Sequence, residues 1–210
     1  GKSYYEQAPW RGTWAQDGGC LMNQCIHNID LLIWLMGGEP VEVMAYTDRM
    51  KHDYIEAEDL GMAILKMDDG SLASVEGTTC TSDEDKCAEI SVFCENGTVT
   101  MGIRKGKPSL DIRDGKGKKL NVSYIRRQIS KAGLGSLLGA LNPHTAIYTD
   151  LIEAVSQDRQ PVADAYAGYS SVDNLMGIYK AAKTGAKVTL PLDEDFSSVD
   201  MTGYFEGVKG

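Results

Sequence analysis

Residues 19–37 read GCLMNQCIHNIDLLIWLMG, and the fold turns on this stretch and the pattern that follows it. Leu21, Met22, Ile29, Leu31, Leu32, Trp34 and Leu35 predict a nearly all-apolar helix of about five turns, closed by Gly37-Gly38 and then Pro40. A helix apolar on every side has to be largely buried. The five polar residues inside it, Asn23, Gln24, His27, Asn28 and Asp30, are therefore the informative ones.

Working outward, residues 40–124 switch to period two, in short runs rich in Val, Ile and Thr that are bounded by turn signals. The expected strands are Val41–Thr47, Leu60–Met67, Leu72–Thr79, Glu89–Glu95, Thr98–Ile103, Leu110–Arg113 and Leu120–Tyr124. Asp68-Asp69-Gly70, Asn96-Gly97 and the glycines at 115 and 117 read as hairpin turns, so the sheet is antiparallel. Residues 126–141 are glycine-spaced and weakly periodic, a connection with some helical turns. Two helices follow, His144–Gln157 and Asp164–Thr184, and then a short strand, Val188–Leu190. Strands segregated from helices indicate an α+β fold: a large open, mainly antiparallel sheet with helices packed on one face, in a single domain over residues 1–210.

The chain has 210 residues, 42% of them apolar and 24% charged, enough to bury about 70% of the surface its unfolded form exposes without disulfides or a structural metal. No run of about 18 apolar residues occurs and the N-terminus is polar and aromatic, so neither a membrane span nor a secretory signal is expected and the default location is the cytoplasm. The net charge of −9 disfavours nucleic acid. It is uneven: residues 1–103 carry 18 acids and 6 bases, residues 104–131 carry 2 and 10, and the rest carry 10 and 5. The basic stretch is interleaved with Gly and Pro and reads as solvated hairpin tips. Five cysteines, at 20, 25, 80, 87 and 94, form no C-x-x-C pair, which argues for reduced, mostly buried thiols over a disulfide framework or a zinc site.

Gly133-x-Gly135-x-x-x-Gly139 comes close to a dinucleotide-binding loop, but polar, basic residues precede it where a hydrophobic strand is required, and Pro143 follows. No cofactor-binding and no metal-binding residues are expected. His27 is the candidate with chemistry. On a helix, Asn23, His27 and Asp30 stand at i, i+4 and i+7 on one face, where Asp30 can orient the imidazole. An imidazole is suited to take a proton near pH 7; a structural histidine satisfied by Asp30 or by backbone fits the same spacing. Arg11 is placed to clamp a hydroxyl, carboxylate or phosphate or to form a surface salt bridge, and His144 to face the pocket or to cap a helix. Asp17, Trp10 and Trp14 shape the segment leading into the helix.

Trp10-Arg11-Gly12-Thr13-Trp14, then Asp17-Gly18-Gly19 through Asn23-Gln24-Cys25-Ile26-His27-Asn28-Ile29-Asp30 to Gly37, resembles the start of the C-terminal domain of the Gfo/Idh/MocA family, the glucose-fructose oxidoreductases, inositol dehydrogenases and related NAD(P)-dependent sugar dehydrogenases. Residues 148–192, with Asp150-Leu151-Ile152-Glu153-Ala154-Val155 and Gly185-x-x-Val188-x-Leu190-Pro191, resemble the closing helices and strand. The resemblance implies a dihydrodipicolinate reductase-like domain that binds substrate and builds a homodimer or homotetramer through its sheet. It also implies a Rossmann half, with its NAD or NADP and an E-K-P lysine, that is expected outside this sequence. Gly1-Lys2-Ser3 has no initiating Met, in keeping with that expectation.

The expected function is then the oxidation of a CH–OH group of a sugar, polyol or nucleotide sugar. His27 would be the catalytic base, with Asn23, Asp30, Arg11 and His144 at the substrate, and this chain alone would be inactive and free of cofactor. Inositol dehydrogenase-type members often carry Asp where this chain has Asn23, and the Asn-Gln variant resembles a branch with nucleotide-sugar dehydrogenases. The competing expectation is a stand-alone, non-catalytic sugar-binding or oligomerisation scaffold.

Overall fold

A computed structural model describes residues 1–132 and 143–206, apart from the side chains of residues 83, 132 and 143–145. The chain forms two compact units: Gly1–Lys86 with Tyr169–Gly210, and Cys87–Gly168.

In the first unit a short helix, α1 (Lys2–Tyr5), precedes the apolar helix read from the sequence. That helix is not uniform. Leu21–Cys25 forms a π-helical turn that runs directly into α2 (Ile26–Met36). Gly37 ends α2 in the left-handed conformation at φ 76°, its N–H reaching back to the Ile33 and Trp34 carbonyls, as the glycine pair required.

Three long strands follow: β1 (Pro40–Asp48), β2 (Leu60–Met67) and β3 (Leu72–Thr78). With β7 (Val188–Thr189) they make an antiparallel sheet in the order β3-β2-β1-β7. Alternation sends Val43, Ala45, Ala63, Leu65, Met67, Ala73 and Val75 into the core. There they join Leu21 from the π turn, Ile29 and Ile33 from α2, and Leu175, Ile178, Tyr179 and Ala182 from the last long helix, α5 (Ala165–Thr184). Gly61 and Gly77 are cross-strand partners on β2 and β3. A Cβ on Gly61 would lie 2.5 Å from Leu21 Cδ1, and one on Gly77 would lie 2.7 Å from Cys25 Sγ. The two glycines thus leave the shallow trough in which the π turn is seated.

In the second unit, β4 (Cys87–Cys94), β5 (Gly97–Arg104) and β6 (Lys107–Asp114) form an antiparallel meander in the order β4-β5-β6. Lys105 and Gly106 both have positive φ, 50° and 70°, the conformation a two-residue type I′ turn demands. Helices α3 (Asn121–Ala132) and α4 (Pro143–Ser156) follow.

The expected strand at Leu120–Tyr124 is instead the start of α3. Leu120, Val122 and Tyr124 suit either period over so short a run, and the local chemistry decides. The Asn121 side chain occupies the edge of β6, its Oδ1 accepting from Ile112 N at 3.0 Å and its Nδ2 donating to the Leu110 carbonyl at 2.5 Å. A further strand would need those same groups, and only a single bridge, Arg113 with Lys119, forms. The stretch read as a connection is helical as far as Ala132. Gly133, Gly135 and Gly139 lie outside the described residues.

The α+β class with antiparallel sheets holds, with the strands divided between a four-stranded and a three-stranded sheet. Among the described residues no helix is long and apolar enough to cross a membrane.

Candidate functional site

The helix carrying Asn23, His27 and Asp30 starts without a capping side chain of its own, since Gly18-Gly19-Cys20 offers no Ser, Thr, Asp or Asn. Glu58 supplies the acceptor from the residues just ahead of β2. Its carbonyl accepts Cys20 N at 2.9 Å, and its Oε1 accepts Leu21 N at 2.8 Å and the Tyr179 hydroxyl at 2.9 Å. Glu58 is wholly buried. Burial pushes its carboxyl up to about 7 against the pull of those hydrogen bonds, and the phenol of Tyr179, buried beside it, is raised as well. Glu58 Oε2 has no hydrogen-bond partner among the described residues and stands where a Cβ of residue 19 would be, so only glycine fits there. Neither Glu58 nor Tyr179 was expected at the site. The signal available in the sequence was the helix start that lacks a cap.

A second group of contacts fixes Asn23. Its Nδ2 donates to Asp17 Oδ1 at 2.5 Å, and Asp17 Oδ2 accepts Gly12 N at 2.7 Å. Its Oδ1 accepts the Tyr4 hydroxyl at 3.4 Å and the Gln24 side chain. Arg11 lies over the Tyr4 ring at 4.0 Å and donates to the Tyr4 carbonyl at 3.0 Å. Arg11 and Asn23 are therefore brought together through Tyr4, and the Arg11 Nε is buried with no hydrogen-bond partner among the described residues. Arg11 pairs with no described carboxylate and is held by stacking on the Tyr4 ring. The Asp17 carboxylate thus sits directly behind the Asn23 amide.

His27 is exposed, one turn beyond Asn23, and makes no hydrogen bond or ion pair among the described residues. Asp30 does not hold it. Its Oδ1 accepts the Ser171 hydroxyl from α5, which ties α2 to α5 and leaves the imidazole to be oriented by whatever it meets. Nearby on α5, Ser170 donates to Glu39 at 3.2 Å and accepts from the buried Asn174 at 3.3 Å. The His144 side chain lies outside the described residues.

Two other features compete for attention. His52, Asp59 and Cys80 place one donor atom each within 4.8 Å of one another. The Asp59 carboxylate, however, already accepts Met50 N, Lys51 N and His52 N at 2.7 to 2.8 Å. Burial raises its carboxyl, but these bonds outweigh burial and hold it below its usual value, which marks a loop anchor. A cleft of about 440 Å³ between α5 and residues 192–196 contains none of the expected site residues. Its Asp173, Asp193, Glu194 and Asp195 would repel a nucleotide's phosphates.

All five cysteines are free thiols. Cys20 is buried and Cys25 and Cys80 half-buried, while Cys87 and Cys94 are exposed at the two ends of β4, so the thiols are less buried as a set than expected.

Residues 1–100 match the family model of the GFO/IDH/MocA C-terminal domain, which spans the Arg11 segment, the π turn, α2 and the three long strands. The chain belongs to the Gfo/Idh/MocA family, through this C-terminal domain. It is 31% identical to the WlbA dehydrogenase of Bordetella pertussis, solved in complex with NADH and UDP-GlcNAcA, over 92% of this chain and 51% of that one, with a TM-score of 0.70. To the WlbA dehydrogenase of Chromobacterium violaceum, solved with the same two ligands, it is 30% identical over 92% and 52%, with a TM-score of 0.73. The myo-inositol 2-dehydrogenase of Lactobacillus plantarum shares the fold at 20% identity and a TM-score of 0.59, over 90% and 52%. The Gfo/Idh/MocA chain described here thus spans about half the length of the structures it matches.

Proposed function

We propose that this chain is the substrate-binding domain of an NAD(P)-dependent oxidoreductase that oxidises a CH–OH group of a nucleotide sugar, with His27 as the base. The observation that carries the reading is the pairing of about 30% identity over nearly the whole chain to two dehydrogenases solved with NADH and UDP-GlcNAcA with an exposed, unengaged imidazole at the centre of a fixed polar face.

The chemistry a nicotinamide cofactor would supply is acceptance of the hydride from the alcohol carbon. What this chain contributes is the proton acceptor and the grip on the substrate. His27, whose Nδ1 and Nε2 are not engaged by described residues, accepts the alcohol proton at one ring nitrogen. Asn23, clamped between Asp17 and Tyr4, holds a hydroxyl or amide at a set distance from that ring. Arg11 turns its guanidinium toward an anionic part of the substrate, a carboxylate or phosphate. Asp30 sets α2 against α5 and lines the same face. His144 belongs to this proposal as a further substrate contact.

The outer face of the four-stranded sheet supports a second part of the reading, assembly of the enzyme through this domain. Tyr46, Leu72, Ile64, Met44 and Met62 are 80, 66, 57, 51 and 46% exposed on adjacent strands, a contiguous apolar surface of the kind that is covered in oligomers.

The test is steady-state kinetics of the full-length enzyme with NAD+ or NADP+ and a panel of UDP-sugars, UDP-GlcNAcA among them. His27→Ala is expected to lower kcat by a factor of about 10² to 10⁴ with little change in stability. A variant that keeps its kcat, or saturable NADH binding by this chain alone, overturns the proposal.

A further inference from the structure

In an α-helix, residues five apart are about 7.5 Å apart along the axis and about 140° apart around it, so Cys20 and Cys25 would face different ways. The π-helical turn at Leu21–Cys25 changes that, because its repeat is i to i+5. It stacks the two thiols on each other, with Sγ to Sγ 3.5 Å. Two sulfurs, that of Cys25 two residues before the candidate base His27 and that of Cys20 seven residues before it, are thus held in contact across the turn.

We propose that Cys20 and Cys25 are a dithiol site that a hydroperoxide converts to an intrahelical disulfide across the π turn. The half-buried Cys25 is the sulfur an oxidant reaches, and the buried Cys20 is the one that resolves it. The Cys20 thiol, hydrogen-bonded to Cys25 and buried, is pushed up, whereas Cys25, accepting that bond, is pulled down, which favours Cys25 as the thiolate. In the first step the Cys25 sulfur attacks one peroxide oxygen and the O–O bond breaks. A sulfenic acid forms and the other oxygen leaves as water, or as an alcohol from an organic hydroperoxide. In the second step the Cys20 sulfur attacks the Cys25 sulfur, the S–O bond breaks, and hydroxide leaves with the Cys20 proton as a second water. Two thiols lose two electrons and the peroxide gains them.

The remaining contacts are compatible with closure. The sulfurs must approach from 3.5 Å to a bond of about 2 Å. On the far side of Cys25 the sheet offers Gly77, with no side chain in the way. The other thiols have no such arrangement. Cys87 and Cys94 begin and end one strand, about 23 Å apart along it, and the Cys80 thiol is directed at the Asp59 carbonyl at 3.7 Å.

The chain suits a direct test. Trypsin cuts after Arg11 and Arg49, and the peptide between them holds Cys20 and Cys25 and none of the other cysteines. The folded chain is treated with hydrogen peroxide, blocked with N-ethylmaleimide, digested and mapped with and without dithiothreitol. The expected product is this peptide lighter by two hydrogens, with neither thiol alkylated, and both alkylated after reduction. In Cys20→Ser the reaction is expected to stop at a Cys25 sulfenic acid that dimedone traps; the wild-type map stands by itself if that variant does not fold. Alkylation of both thiols after peroxide, over-oxidation of Cys25 to the sulfinic acid in the wild type, or a cross-link of either cysteine to Cys80 overturns the proposal.

Discussion

Replacing Glu58 with glutamine is expected to change how the stability of the first unit depends on pH. In the folded chain the Glu58 carboxyl is moved from the usual 4.5 to about 7, chiefly by burial. The unfolded chain gives up this proton near 4.5 and the folded chain only near 7, so between those values ionisation favours the unfolded state. The stabilisation is complete below pH 4.5 and is lost as pH rises through about 7; a shift of this size is worth about 3 kcal/mol. Glutamine keeps an oxygen for Leu21 N and the Tyr179 hydroxyl but does not titrate. Its amide nitrogen takes the place of Oε2 against Gly19, which adds a pH-independent cost of about 1 to 3 kcal/mol for an unpaired donor. The difference between wild type and Glu58→Gln should therefore fall by about 3 kcal/mol from pH 4.5 to pH 7.5, whatever its starting value. Trp10, Trp14 and Trp34 all belong to the first unit, so tryptophan fluorescence during urea unfolding reads that unit. Comparing the two proteins at each pH cancels the other titrating groups. A difference that stays constant across this range, or one that grows with pH, refutes the buried, proton-retaining Glu58.

Three further substitutions test other parts of the structure. Tyr179→Phe removes one of the two donors on Glu58 Oε1 and should cost about 1 to 2 kcal/mol in the same urea assay while raising the Glu58 carboxyl further. Asp59→Asn turns an acceptor of three backbone N–H groups into a partial donor, at about 1 to 3 kcal/mol for each buried N–H left unpaired. Because the Asp59 carboxyl is held below its usual 3.8, wild-type stability from this group is present above that pH and falls away in acid, and the variant should lack that acid limb. Asn121→Ala should expose the edge of β6, seen as faster amide hydrogen exchange at Ile112, with protection in β5 retained.

The readable parts of this sequence are those set by local pattern. The alternation survives as buried and exposed positions through β2, β3 and β1 from Val43 onward, past the register shift near Pro40, and Gly37 stops α2 because no side chain obstructs the left-handed turn. Helical spacing singles out Asn23, His27 and Asp30; in the structure His27 and Asp30 are exposed on α2 and Asn23 is half-buried inside the π turn. What spacing does not show is the set of groups each one meets. Glu58 and Tyr179 are 121 residues apart, and Asp30 and Ser171 are 141 apart; such partners are chosen by packing and leave no period behind. The Leu120–Tyr124 run fails for the opposite reason. Its period is ambiguous, and a single side chain, Asn121, resolves it by occupying the sheet edge.

The π turn shows how an unreadable feature and the site arise together. At about 100° per residue, Leu21 and Ile29 in an unbroken α-helix differ by about 80°, and Leu21 and Ile33 by about 120°. The core requires Leu21, Ile29 and Ile33 on one side, since all three are buried. A π turn absorbs one residue, which brings Leu21 to within about 20° of both Ile29 and Ile33. The apolar residues all round this helix hide the phase slip from any reading of periodicity, because every face looks like a core face. The slip falls between Cys20, which Glu58 anchors at the helix start, and Ile26, where α2 begins. Asn23 lies inside it and His27 just past it, so the same extra residue that lets Leu21 settle over Gly61 also sets the angle at which the amide and the imidazole are presented. Local helical regularity is given up at the place where the candidate chemistry sits, and the long-range bonds to Glu58, Asp17 and Tyr4 hold the irregular turn in one geometry.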